Sequence, residues 1–178
     1  MNTTYQFKTQ TILQHGQSVH EHFKKIINAF DTQDYSKYQI PQNLRHYWPK
    51  IKKKLYHFDL LKQYHLYHDC GKPYCLHVDV DGRQHFKNHA LVSYDVYTKI
   101  FSDDTIAKFI RYDMMFHSGT PEEIDVFIKE HDKRFLLSLW TTSLAEIYSN
   151  SEMFAADNQK SFHKKYDKLM GILPKIMG

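Results

Sequence analysis

The chain has 178 residues, of which 42% are apolar, and a formal charge of +4 at neutral pH. That length suits one globular domain with a buried core, and the apolar content excludes a disordered chain. Two cysteines, Cys70 and Cys75, are too few for a disulfide framework and are not spaced as in a zinc ribbon, so a reducing compartment is expected.

Ser18-Val19-His20-Glu21 has the form of a capping box, and Val19, Phe23, Ile26, Ile27 and Phe30 follow at helical spacing. A first helix over Val19 to Phe30 is predicted. The Tyr-rich stretch Asp31 to Pro49 reads as a loop broken by Pro41 and Pro49, and Lys50 to Lys62 as a basic helix. A further helix runs through Tyr64 to Asp69 and stops at Gly71-Lys72-Pro73, because Gly ends helices and Pro disfavours helix in the residue before it. Cys75 to His85, with the turn dipeptide Asp81-Gly82, is a loop or short hairpin. Helices are predicted over Asn88 to Phe101, Thr105 to Phe116, Glu122 to Lys133 with Pro121 well placed at its start, Phe135 to Ser151, and an amphipathic tail Ser161 to Met177. The expected fold class is all-α: six or seven helices with little sheet, in a single domain whose core spans about 14–151. No apolar run is long enough to cross a membrane, and Met1–Gln6 lacks the parts of a signal peptide. The expected location is therefore cytoplasmic, with no membrane partner.

Thirteen histidines are the salient feature of the composition. At the centre stands Tyr67-His68-Asp69-Cys70-Gly71-Lys72-Pro73. Adjacent His and Asp at a helix end can both reach one cation, through an imidazole nitrogen and a carboxylate oxygen. His22 projects near the apolar face of the first predicted helix, whereas His15 and His20 read as exposed bystanders. His85 and His89 are four residues apart, as are Asp113 and His117 around the apolar Met114-Met115-Phe116. On one helix such pairs share a face. Burying an acid and an imidazole among apolar residues is costly without partners. Lys72 and Arg83 are the candidate phosphate handles: lysine as a mobile point charge, arginine as a fixed fork.

The segments His68-Asp69-Cys70-Gly71-Lys72-Pro73 and Asp81-Gly82-Arg83-Gln84-His85-Phe86-Lys87-Asn88-His89, with Val19-His20-Glu21-His22-Phe23 upstream, resemble the HD superfamily of metal-dependent phosphohydrolases. They are most similar to the HD domain of bacterial tRNA nucleotidyltransferases, over roughly Gln14 to Ser151. The resemblance implies an HD-type helical bundle holding one or two divalent ions (Mn, Co, Zn, Fe or Mg). The implied ligands are His22, His68, Asp69, His89 and His117. It makes His85 a substrate contact. The family's late Asp falls on Ser143-Leu144-Ala145-Glu146, where this chain has Glu146. Either Glu146 or Asp113 fills that place, or the site is incomplete.

The implied chemistry is phosphoester hydrolysis by metal-activated hydroxide, with Asp69, Lys72, Arg83 and His85 as the catalytic set. A nucleotide or a phosphorylated nucleic-acid end is the expected partner, for example an RNA 2′,3′-cyclic phosphate or 3′-phosphate. The alternatives are a nucleoside 5′-monophosphatase, a deoxynucleotide triphosphohydrolase, or a non-catalytic RNA-binding module stapled by a metal. The mild positive charge suits a phosphate-bearing ligand and equally suits a solvated basic surface.

Overall fold

A computed structural model describes residues 5–7, 10–154 and 159–178. Residues 1–4, part of the stretch read for a signal peptide, lie outside the described residues. The protein is all-α. Beside the helices, the described residues form two short antiparallel ribbons, β1 (Tyr5–Phe7) with β2 (Gln10–Thr11), and β3 (Leu76–Val78) with β4 (Gln84–Phe86). No helix among the described residues is long and apolar enough to cross a membrane. The chain divides into two units: Met1–Ser18 with Phe58–Met114, and Val19–His57 with Met115–Gly178.

The first helix, α1 (Ile12–Thr32), begins well before the Ser18 cap that the sequence suggests. A second box-like pattern, Thr11-Ile12-Leu13-Gln14, is the one in use. The Gln14 amide donates to the Thr11 hydroxyl at 3.2 Å, and the Thr11 amide donates to the Gln14 side-chain oxygen at 2.9 Å. Two otherwise orphaned amides are thereby satisfied reciprocally. Ser18 is interior to the helix. The early start places His15 and Gly16 on α1, in the first unit.

The first unit continues with α4 (Phe58–Tyr67), a 3-10 turn (Lys72–Tyr74), the β3–β4 ribbon, α5 (His89–Thr98) and α6 (Asp104–Tyr112). Asp103 caps α6, accepting from the amides of Thr105 and Ile106. Its core holds Ile12, Leu61, Tyr64, Tyr97, Ile106, Phe109 and Ile110. Tyr64 and Phe109 stack at 5.0 Å and tie α4 to α6. Two glycines set the backbone spacing. A Cβ at Gly16 would collide with the His65 carbonyl oxygen and the Leu66 Cα, and one at Gly71 with the backbone of Val92 and Ser93. Only glycine lets α1 lie this close to α4, and the His68–Gly71 segment this close to α5.

The second unit contains the rest of α1, α2 (Gln42–Arg45), α3 (Trp48–Lys54), α7 (Met115–Ser118), α8 (Pro121–Glu130), α9 (Lys133–Phe154) and α10 (Gln159–Met177). α9 is buried on every face from Phe135 to Tyr148, with Ser138, Thr141, Thr142, Ser143 and Glu146 among its apolar residues, and packs on α3, α7 and α10. Trp140 is fully buried, and its indole N–H donates to the Leu169 carbonyl at 2.8 Å. Pro121 opens α8 as the sequence predicts, inside a complete Thr120/Glu123 capping box.

Two predicted helices are interrupted. Lys50 to Lys62 is not continuous: Leu55 turns extended after α3, and the Tyr56 amide donates to the Ser138 hydroxyl instead of to a helical carbonyl. Thr105 to Phe116 is likewise two helices, interrupted at Asp113-Met114. Pro49 is no breaker, because it occupies the first turn of α3, where its missing N–H costs nothing.

Candidate metal centre

Asp69 is the hub of the first unit's polar cluster. It is 1% exposed, in the turn that follows α4. Its Oδ2 lies 2.6 Å from Lys72 Nζ, 3.2 Å from His68 Nε2 and 3.8 Å from His15 Nε2. Its Oδ1 lies 3.5 Å from His89 Nε2 and has no hydrogen-bond partner among the described residues. Three imidazoles from α1, α4's end and α5 thus direct their Nε2 atoms at one carboxylate.

Local structure fixes two of these rings. His68 Nδ1 lies 2.7 Å from the His65 carbonyl oxygen, and His89 Nδ1 lies 3.0 Å from that of Phe86. A carbonyl can only accept, so both Nδ1 atoms carry protons. The neutral tautomer then places an Nε2 lone pair toward Asp69. Two lone pairs facing each other repel, unless a proton or a cation lies between them. A backbone carbonyl holding the far ring nitrogen is the usual outer support of a ligating histidine. The donor set therefore fits a divalent cation. Burial by itself would push the Asp69 carboxyl up, but His68 and His89 in their protonated form, with the Lys72 ammonium, outweigh it and hold the carboxyl well below the usual range; in the neutral tautomer only Lys72 supplies that charge.

The segment around Asp69 is held by Ser93 on α5. The Gly71 amide donates to the Ser93 hydroxyl at 2.9 Å, and the Cys70 thiol donates to the Ser93 carbonyl at 3.4 Å. Burial, with the nearby Asp69 charge, pushes the Cys70 thiol up to about 11.

Several expected site residues are elsewhere. The α1 histidine beside the His68-Asp69 pair is His15, fully buried and not the exposed bystander expected. His22, two turns further along α1, is occupied at both ring nitrogens. Tyr38 hydroxyl donates to Nδ1 at 2.9 Å, and Nε2 meets Glu152 at 3.1 Å, leaving no lone pair for a ligand role. Burial lowers the His22 pKa, and Glu152 only partly opposes this. Asp113 is buried, but it accepts the Tyr64 hydroxyl, and the break after α6 ends any shared face with His117. His85 stands on β4 and His89 opens α5, so they do not share a helix either. Lys72 is not a mobile loop cation: it is 7% exposed and bound to Asp69. Arg83 is exposed in the ribbon's turn.

In the second unit, His117 Nε2 and Glu146 Oε2 form a pair at 2.9 Å. His117 is positioned by Lys168, which donates to the carbonyls of His117 and Gly119. Sequence reasoning missed His15, Tyr64 and Ser93. The Thr11-x-x-Gln14 box, followed directly by His15-Gly16, was the available signal for the first. Nothing in the local pattern marked the other two.

No family model, curated protein or solved structure matches the chain.

Proposed function

We propose that the protein is a metal-dependent phosphohydrolase of the HD type, cleaving a phosphoester of a nucleotide or a nucleic-acid end at the Asp69 centre. One observation carries the reading: the Nε2 atoms of His15, His68 and His89 converge on a buried carboxylate, with two far nitrogens held by backbone carbonyls. Asp69, His15, His68 and His89 are the proposed ligands. A divalent cation there would lower the pKa of a coordinated water and neutralise charge on the phosphoryl oxygens.

The chain's own residues have separable tasks. The His65 and Phe86 carbonyls keep His68 and His89 in the tautomer whose Nε2 can ligate. Lys72, which pairs with Asp69, would be available to hold a phosphoryl oxygen if a cation shared that carboxylate. Its ammonium also holds a proton for the leaving oxygen. Arg83, exposed at the ribbon's turn, offers a fork for a second pair of phosphate oxygens. The His117–Glu146 pair of the second unit carries the same donor chemistry, and its part in ligation is tested through its own variants.

The test is metal analysis joined to a phosphate-release screen. Nucleotides and oligonucleotides ending in a 3′-phosphate or 2′,3′-cyclic phosphate are offered with manganese, cobalt, magnesium and zinc in turn. His68→Ala and Asp69→Ala serve as blanks, each checked for folding by circular dichroism. Metal-dependent release by the wild type alone supports the reading. Absence of any bindable metal, or equal release by wild type and blanks, overturns it.

A further inference from the structure

A second set of donor side chains lies on the β3–β4 ribbon, apart from the Asp69 centre. The ribbon register pairs His77 directly with His85, beside Leu76 with Phe86 and Val78 with Gln84. Directly opposed residues of an antiparallel pair project from the same face, and so do residues two apart on one strand. His77, Asp79 and His85 therefore share one face, while Leu76, Val78 and Phe86 occupy the other.

The turn fixes the carboxylate of this group. Asp79 Oδ1 accepts from the amides of Asp81 and Arg83, at 3.1 and 2.8 Å. The Asp79 amide donates to the Arg83 carbonyl, the Gly82 amide donates to the Asp79 carbonyl, and Gly82 takes a φ of 76°, which favours glycine. With Oδ1 engaged, Oδ2 points along the face to His85 Nε2, at 3.0 Å. Ligand atoms around a tetrahedral ion with bonds of about 2.0–2.1 Å are roughly 3.3 Å apart. The Asp79–His85 pair is thus already at bite distance. The His77 and His85 rings are 6.5 Å apart between centroids. Two imidazoles on one tetrahedral ion have centroids about 5 Å apart by the same bond lengths. The difference is about 1.5 Å, within reach of rotation of two exposed side chains.

We propose that His77, Asp79 and His85 form a surface site for a divalent ion of the zinc, nickel and copper group. Two imidazoles and one carboxylate leave the remaining coordination positions to water. Nitrogen donors favour these ions over magnesium or calcium. Occupancy would also staple the ribbon. Both of its faces are largely exposed, with Val78 at 50% and Val80 fully so, and a lone two-stranded hairpin is marginally stable in water.

The experiment is calorimetric titration of the metal-free full chain with Zn2+, for wild type, His77→Ala, His85→Ala, the double variant and His68→Ala. Because the two ribbon histidines are exposed, their replacement leaves the far-ultraviolet circular dichroism unchanged. The proposal expects a class of sites whose affinity falls at least tenfold in each ribbon variant and persists in His68→Ala. It also expects Zn2+, and not Mg2+, to slow amide exchange at Val78 and Gln84 in the wild type. Zn2+ isotherms in the ribbon variants that match the wild type overturn it, as does unchanged exchange at those amides. Loss of the His68-dependent class alone bears on the Asp69 centre and leaves this site standing.

Discussion

The imidazoles of His15 and His68 stand 5.3 Å apart between ring centroids, tilted by 52°, although they belong to distant parts of the chain. The helix carrying His15 can approach the helix before His68 because the next residue is Gly16, whose missing side chain admits the His65 carbonyl. That carbonyl in turn accepts the His68 Nδ1 proton. One close approach therefore sets the position of the first imidazole and the tautomer of the second.

Gly16→Ala and Gly71→Ala should each destabilise the protein by about 1–3 kcal/mol or more, because the added methyl meets backbone that cannot rotate away. Gly171→Ala provides the contrast. Nothing lies within 4 Å of a Cβ at that position inside α10, so it should stabilise by about 0.5–1 kcal/mol. Urea unfolding midpoints decide; similar midpoints for Gly16→Ala and wild type would show that the packing is looser than described.

Replacing the two α1 histidines should separate their roles. His15→Ala should weaken divalent-metal affinity by more than the roughly 10–100-fold typical of losing an outer partner. His22→Ala should leave that affinity unchanged. Chelation should lower the melting temperature of the wild type and of His22→Ala, and much less that of His15→Ala, since a ligand stabilises by about 2.7 kcal/mol at a hundredfold excess over its Kd. The opposite ranking would return His22 to the ligand set.

In metal-free protein, Asp69→Asn strands the Lys72 ammonium in a buried site. Breaking such a pair costs about 3–5 kcal/mol, whereas removing both charges is often close to neutral. Asp69→Asn/Lys72→Met should therefore recover much of the stability lost by Asp69→Asn. Denaturation curves of the three proteins test this; additive losses would mean the two residues act independently.

His22 predicts a pH dependence of stability. Its folded pKa is lowered, chiefly by burial, so the unfolded chain takes up the proton first as pH falls. The stabilising contribution is complete above the unfolded value of about 6.5 and is lost on acidification toward the folded value, with a slope of at most about 1.4 kcal/mol per pH unit. Between pH 7.5 and 5.5 the wild-type midpoint should drop further than that of His22→Gln. Parallel drops would assign the effect to other groups.

Much of the architecture was readable from periodicity and punctuation. The apolar spacing gave α5, α8, α9 and α10, and Pro121 marked the start of α8. The first cap was misread because Ser18-x-x-Glu21 and Thr11-x-x-Gln14 are equivalent as patterns. The Thr11/Gln14 box is the one formed, and Ser18 lies inside the helix. The His68-Asp69 pair, Lys72 and His89 were legible as a group. The fate of His22 was not, since Tyr38 and Glu152 reach it from a loop and from α9. The breaks after Lys54 and at Asp113 were also illegible, because the hydrogen bonds made there, Tyr56 to Ser138 and Tyr64 to Asp113, join residues far apart in sequence.

Ser93 has a practical consequence. It latches Cys70 beneath α5, where burial and the Asp69 charge leave a thiol whose ionisation needs strongly alkaline conditions, while Cys75 is half-exposed. Maleimide chemistry at mild pH should thus address the two sulfurs unequally. A fluorophore or nitroxide at Cys75, beside the 3-10 turn that begins with Lys72, would give a native reporter on the Asp69 neighbourhood without introducing any engineered attachment point.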